Sequence, residues 1–335
     1  MSKYNVAYIC NDAYMPMTGI SIFSLLENNK EADEINIYLA GDNISEENKY
    51  KLELLIKKYN RTLFYIDTNR ICEELEQQGI KKYKGKTYSP YLKNLIESEI
   101  HENIERLLYI DSDTIIDGSL EELFSMRLEK PLYMVADIMW DFYKKKLGME
   151  KNSFYYNGGV ILYNIPMWRE ERCHERYWQF LKNSPKQYVL GDQDITNMLF
   201  SKGNVSESEI GSLQLKYNYF LKRELLHDAI KESKCRFYIK EEWHDLDKEG
   251  VIYHFSKYNG ERPWEIGNTH PFKEKFDYYK SASPWRNMKL FERRISKQIA
   301  IQIKLKRILP RVIYIPILRM AQRLYFITSE KKINS

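Results

Sequence analysis

The chain has 335 residues, 43% hydrophobic and 30% charged, with a formal net charge of +5 at pH 7; this balance builds a buried core and excludes a disordered or low-complexity polypeptide. No apolar run approaches the ~20 residues needed to cross a bilayer, so a soluble or membrane-peripheral protein is expected, and the length suits one large α/β domain with an appendage. The charge is divided: residues 286–335 hold thirteen Lys/Arg against Glu292 and Glu330, which leaves the remainder acidic.

Met1-Ser2-Lys3-Tyr4-Asn5 enters a strand-like run without a basic leader or cleavage signature, and none is expected. Val6–Cys10 reads as a short apolar strand, followed by the polar loop Asn11-Asp12-Ala13-Tyr14 and a helical stretch from Met17 to Glu27. Ile35–Leu39 alternates as a second strand should, Ser45 opens a helix as its cap, and Thr62–Ile66 makes a third strand. Strand, helix, strand is the rhythm of a parallel sheet with right-handed crossovers. In such sheets ligands bind beyond the carboxyl ends of the strands.

A helix is expected from Pro90 to Glu102, ahead of the run Arg106-Leu-Leu-Tyr-Ile-Asp111-Ser-Asp113-Thr-Ile-Ile116. Two carboxylates one residue apart leave a core strand here. In extended backbone, residues i and i+2 point to one side, so Asp111 and Asp113 can face one ion. A hard divalent cation relieves the repulsion between two close carboxylates. The alternative is an Asp-Ser-Asp helix cap or turn.

Pro131–Asp137 reads as a further strand. Tyr156-Asn157-Gly158-Gly159-Val160 runs from a loop into another, its glycines allowing either a simple turn or close backbone approach to a ligand. Gly191-Asp192-Gln193-Asp194 opens a helix with acidic and amide side chains in its first turn. In Ile252-Tyr253-His254-Phe255, a histidine ends a short strand, and a loop with Lys257, Gly260 and Arg262 closes on Pro263-Trp264. Imidazole suits a third ligand to the cation and the two basic residues suit a diphosphate; the alternative is a hydrogen-bonded core histidine. The four cysteines, Cys10, Cys72, Cys173 and Cys235, are scattered without zinc-type spacing, as in a cytoplasmic protein with reduced thiols.

Taken in order, the Asn11-Asp12-x-Tyr14 loop, Leu-Tyr-Ile-Asp111-Ser-Asp113, Tyr-Asn157-Gly158-Gly159-Val, Asp192-Gln193-Asp194 and His254 through Pro263-Trp264 resemble glycosyltransferase family 8. These are retaining sugar transferases that include bacterial lipopolysaccharide galactosyl- and glucosyltransferases and the glycogenins. The resemblance covers roughly residues 4–280. It implies a GT-A fold, a Rossmann-like, mostly parallel sheet flanked by helices, over residues 1–284, with residues 285–335 as a basic helical extension. It also implies transfer of glucose or galactose from a UDP-sugar to a glycan acceptor, lipid-linked lipopolysaccharide or other cell-surface polysaccharide. Asp111, Asp113 and His254 would bind Mn²⁺, with Mg²⁺ as the other option. Asn11, Asp12 and Tyr14 would hold the uridine, with Ser112 near the ribose and Lys257, Gly260 and Arg262 over the diphosphate. Asn157, Gly158, Gly159, Asp192 and Gln193 would line the sugar pocket, Gln193 and Asp192 nearest the chemistry. Lys93, which the resemblance counts among the nucleotide-binding residues, stands where the family commonly has Arg, a point charge in place of a fork, and Arg262 stands where it has Lys; the loop from His254 to Gly260 is about two residues longer than usual.

Two other readings are open. Asp111-Ser-Asp113-Thr-Ile115 approximates the signature of haloacid dehalogenase-like phosphatases, in which the first Asp is a nucleophile. A catalytically silent UDP-sugar-binding scaffold is the non-enzymatic alternative. In the tail, Phe291–Ile303 and Val312–Leu318 place apolar residues among basic ones, the pattern of an interfacial helix on an anionic inner membrane face or of helices packed on the body. Nucleic acid is not an expected partner, since no binding module is recognisable.

Overall fold

The computed structural model describes residues 2–334 apart from 101–102, 151–152, 185–186, 203–206, 221–248, 256–260 and 294. Its strands are β1 (Lys3–Asn11), β2 (Glu34–Asp42), β3 (Thr62–Ile66), β4 (Arg106–Ile110), β5 (Thr114–Ile116), β6 (Leu132–Asp137), β7 (Tyr155–Asn164), β8 (Ile210–Leu213) and β9 (Ile252–His254). Seven make one sheet in the order β3-β2-β1-β4-β7-β6-β8, and β5 pairs with β9 apart from it. The expected mostly parallel α/β sheet is present. β3, β2, β1 and β4 are parallel throughout, β7 runs antiparallel between β4 and β6, and β8 returns parallel to β6.

The helix Met15–Glu27 is mostly apolar, and eleven of its thirteen residues are buried, as expected for a helix sealed into a core. Its buried hydroxyls need partners and find them on β5: Ser21 Oγ lies 2.8 Å from Thr114 Oγ1, and Ser24 Oγ accepts from Ile116 N–H at 2.9 Å. β5 then fixes β9 by the antiparallel register Thr114 to His254 and Ile116 to Ile252. On the helix's other side, a Cβ on Gly19 would lie 2.2 Å from the ring of Trp285; only hydrogen fits there. Trp285 is itself buried and donates from Nε1 to Asn48 Oδ1.

The helix expected over residues 90–102 is instead a single turn, Ser89–Leu92, and a 3-10 turn, Ile96–Glu99. Between them the polar groups are taken elsewhere: Lys93 C=O and Asn94 Oδ1 both accept from Tyr163 Oη at 3.0 Å, and Asn94 Nδ2 donates to Thr196 Oγ1. A carbonyl claimed by a tyrosine is a carbonyl turned out of a helical ladder.

The tail forms helices Lys297–Ile308 and Arg311–Asn334. Phe326 is buried, its ring 4.0 Å from that of Tyr143 and 6.1 Å from that of Phe142, so the second helix docks on the body. Val312, Met320 and Leu324 of that helix stay exposed. Among the described residues no helix is long and apolar enough to cross a membrane.

Candidate functional site

The carboxyl ends of β4, β6 and β9 are joined through one cluster of polar side chains, and that of β1 touches it through the bond from Ser112 to Ile9 C=O. β4 stops at Ile110 and β5 begins at Thr114, so Asp111 and Asp113 lie on a bend between two strands. The bend, rather than the pleat of one strand, brings their carboxylates together. It is pinned by Asp111 N–H to Gly159 C=O at 2.8 Å and by Thr114 Oγ1 to Asp111 C=O at 2.9 Å. Pairing with β5 delivers His254, whose Nε2 lies 3.3 Å from Asp113 Oδ1 and 3.8 Å from Asp111 Oδ2. The ligating atoms of Asp111, Asp113 and His254 all lie within 4.8 Å of one another. The predicted trio therefore assembles from residues some 140 positions apart.

Surrounding groups fix how these side chains present themselves. His254 Nδ1 donates to Asn218 Oδ1 at 3.0 Å, leaving Nε2 to face the carboxylates. Tyr109 Oη donates to Asp111 Oδ1 at 2.7 Å. Burial alone would push the imidazole down, but Asp113 and then Asp111 outweigh it and raise His254 above its ordinary range. Burial would likewise raise Asp113, yet the imidazole of His254 and the guanidinium of Arg262 hold it well below the usual carboxylate range. Two carboxylates and an oriented imidazole are a donor set that suits a divalent cation of manganese or magnesium type, with the hydrogen-bonded backing such sites require.

Beside the trio, Lys93 Nζ sits 3.0 Å from Asp111 Oδ1, 3.1 Å from Asp192 Oδ2 and 3.1 Å from Gly158 C=O. Burial opposes its charge, but the two carboxylates prevail and its ammonium is held above the usual lysine range. Asp192 is raised to about 6 by burial, with Lys93 pulling it down and Asp111 pushing it up. Gln193 is clamped: Oε1 accepts from Gly158 N–H at 3.0 Å, and Nε2 donates to Asp137 Oδ2 at 3.3 Å. Neither glycine of the pair needs a positive φ. What Gly159 supplies is room, because a Cβ there would lie 2.3 Å from His254 Cε1, whereas one on Gly158 would lie 3.4 Å from Asp192 Oδ2.

Two members of the site lie outside the motifs. Asp137, at the end of β6, is pushed up by burial and accepts from Asn157 Nδ2 at 3.1 Å as well as from Gln193. Asn218 donates to Asn157 Oδ1 at 2.9 Å while accepting from His254. One polar chain thus runs from His254 through Asn218, Asn157 and Asp137 to Gln193. Asp137 was within reach of the strand-end rule that found Asp111; Asn218 sits in no motif and carries no such signal.

Those of the remaining expected residues that are described are held by bonds of their own. Asn11 Oδ1 accepts from Tyr14 N–H, and Tyr14 is exposed. Asp12 Oδ1 accepts from Ser45 N–H, Ser45 Oγ and Asn48 Nδ2, bonds that lower its pKa and tie the loop to the next helix. Ser112 is buried and donates to Ile9 C=O. Arg262 donates to Asp113 Oδ2 and to Phe255 C=O. Lys257 and Gly260 lie outside the described residues.

Comparison with known proteins agrees with this geometry. The model of Glycosyl transferase family 8 matches residues 5–265. A lipopolysaccharide 1,3-galactosyltransferase of Salmonella typhimurium is 26% identical over 314 residues, covering 90% of this chain and 85% of its own. A lipopolysaccharide 1,2-glucosyltransferase of Escherichia coli is 27% identical over 294 residues, covering 85% and 80%. Among solved structures, the galactosyltransferase LgtC in complex with donor and acceptor sugar analogues superposes with a TM-score of 0.64 at 20% identity, over 84% of this chain and 99% of that one. The shared sheet is the expected GT-A fold.

Proposed function

Because the chain belongs to glycosyltransferase family 8, we propose that it transfers a hexose, glucose or galactose, from a UDP-sugar to a glycan acceptor with retention at the anomeric carbon. The observation that carries this reading is the convergence of Asp111, Asp113 and His254 beside Lys93, Asp192 and Gln193. Asp111, Asp113 and His254 would hold a divalent cation, Mn²⁺ in this reading, which would supply positive charge to stabilise the diphosphate leaving group.

The chain's own residues do the rest. Asn11, Asp12 and Tyr14 receive the uridine and Ser112 the ribose. Lys257, Gly260 and Arg262 close over the diphosphate, where their charge and bulk exclude water and suppress hydrolysis of the donor. Asn157, Gly158, Gly159, Asp192 and Gln193 line the sugar pocket, with the Asp192 carboxylate fixing sugar hydroxyls and Lys93 keeping Asp192 in place by charge. Gln193, held by Gly158 N–H and Asp137, keeps its amide fixed beside the anomeric centre. Such preorganisation stabilises the positive charge that develops there. An amide is a poor nucleophile, so we assign attack to the face the leaving group vacates, with a donor phosphate oxygen taking the acceptor proton. Retention by a covalent intermediate would instead leave a trapped sugar on Asp192 or Asp194.

The basic tail supports a place at the anionic inner face of a membrane, where the related lipopolysaccharide enzymes' substrates suggest a lipid-linked acceptor. Incubation with Mn²⁺ and a panel of UDP-sugars, following UDP release, tests the reading. UDP appears with one hexose donor, and Asp113→Asn lowers its release by about 10²–10³-fold, the usual effect of deleting a group that stabilises transition-state charge. Binding of UDP without release from any donor would mark a silent scaffold, and phosphate release from sugar phosphates without nucleotide product would mark a phosphatase.

A further inference from the structure

Residues 81–87 form a tight hairpin closed by Tyr83 N–H to Thr87 C=O at 2.8 Å, with Lys84 and Gly85 at its tip in the left-handed region, φ 50° and 68°. It carries four exposed lysines, Lys81, Lys82, Lys84 and Lys86. None of them makes an ion pair among the described residues. They line a groove of about 900 Å³, whose opposite wall is the tail helix at Tyr325 and Ser329. Glu76 is the single carboxylate among its described lining residues. Burial, and after it the neighbouring Lys86, push the ammonium of Lys84 down.

The hairpin is fastened to the donor side of the site. Tyr83 Oη donates to Val189 C=O at 2.7 Å, and Lys84 N–H donates to Gln187 Oε1 at 3.0 Å. Gln187 Nε2 returns bonds to the carbonyls of Lys81 and Lys82. The segment so gripped leads straight into Asp192 and Gln193, and the ring of Tyr83 lies against Gly191. The groove is therefore bounded on one side by a segment that continues into Asp192 and Gln193 and on the other by the tail helix.

We propose that this groove binds the phosphoryl groups of the acceptor, which makes the acceptor a phosphate-bearing, anionic glycan rather than a neutral oligosaccharide. The inference rests on the transferase reading above and names its acceptor class. Lysine ammonium groups grip phosphate as point charges without demanding one orientation, which suits an acceptor whose reacting hydroxyl is positioned elsewhere.

The test is isothermal titration of the full chain with octyl diphosphate in EDTA, so that no cation occupies the Asp111, Asp113 and His254 cluster, with octyl glucoside as the uncharged control. Saturable binding of octyl diphosphate is expected, at least about tenfold tighter than octyl glucoside and weakened at least about tenfold in Lys82→Ala/Lys84→Ala/Lys86→Ala. The thermal midpoint of the triple variant serves as the control for folding. Absence of saturable binding in the parent, or equal binding by parent and variant, overturns the inference. Phosphatidylglycerol vesicles form the second arm: retention of both proteins on vesicles supports an acceptor site, and loss of the variant alone would assign the lysines to lipid headgroups and overturn it. UDP release from nucleotide sugars is read separately. A parent that releases UDP but ignores octyl diphosphate sinks only this inference, whereas one that binds it and never releases UDP sinks the transferase reading.

Discussion

His254 turns one nitrogen toward the carboxylates of Asp111 and Asp113 because Asn218 holds the other, and Asn218 is fully buried with both ends of its amide engaged. Asn218→Ala should therefore weaken Mn²⁺ affinity by about 10–100-fold, the usual effect of losing an outer hydrogen bond to a ligand, measured by titration with Mn²⁺ in the absence of nucleotide. Lys93 sets a second residue-scale expectation. Asp192 titrates at about 6, so if its carboxylate holds the sugar, kcat/KM for the donor rises as pH passes through that value and the group ionises. In Lys93→Met the cation that pulls Asp192 down is gone, and the acid limb should move upward by about 1–3 pH units; an unmoved limb in the pH profile of UDP release would remove Asp192 from this role. Asp111, Asp113 and His254 were legible in the sequence because the two aspartates interrupt a recognisable apolar run and the histidine ends another. Asn218 was not, since its value lies entirely in two partners remote from it in the chain.

Between elements, the exact approach of β7 to β9 decides whether the imidazole fits. Gly159→Ala would put a methyl group 2.3 Å from His254 Cε1, and the ring must leave its place. Mn²⁺ affinity should fall at least about tenfold while the chain stays folded, because the clash is met by a side chain rather than by the sheet; circular dichroism and metal titration together check this. The sheet's first half was legible from its alternation of strand and helix. The break at residues 93–95 was not, because what opposes the helix there is a tyrosine hydroxyl from β7, a partner that local periodicity does not reveal. The joining of Asp111 and Asp113 by a bend was also hidden, since a run of apolar residues on either side reads as one strand.

At the scale of the molecule, an acidic body meets a basic helical tail that is docked through Phe326 yet presents Val312, Met320 and Leu324 to solvent. Basic residues near an anionic leaflet contribute about 1 kcal/mol each. Removal of residues 296–335 should accordingly release the protein from phosphatidylglycerol vesicles, and vesicle binding by the intact chain should fall steeply with salt. The cut belongs after Ile295, because Phe291 N–H bonds Trp264 C=O and Arg293 pairs with the buried Glu261. The tail's composition was plain in the sequence, but its seat on Tyr143 was not, for one aromatic among many gives no sign of which ring it will meet.

The register of β5 with β9 has a consequence for biogenesis. A ribosome that has delivered everything up to β8 has made the whole main sheet and both aspartates, yet that nascent protein has no histidine to complete the trio and no strand to cover β5. Competence to take up the ion would thus arrive only once β9 is made, and a divalent ion captured then would act as a clasp joining early and late segments, favouring a chain that includes β9 over one cut short of it.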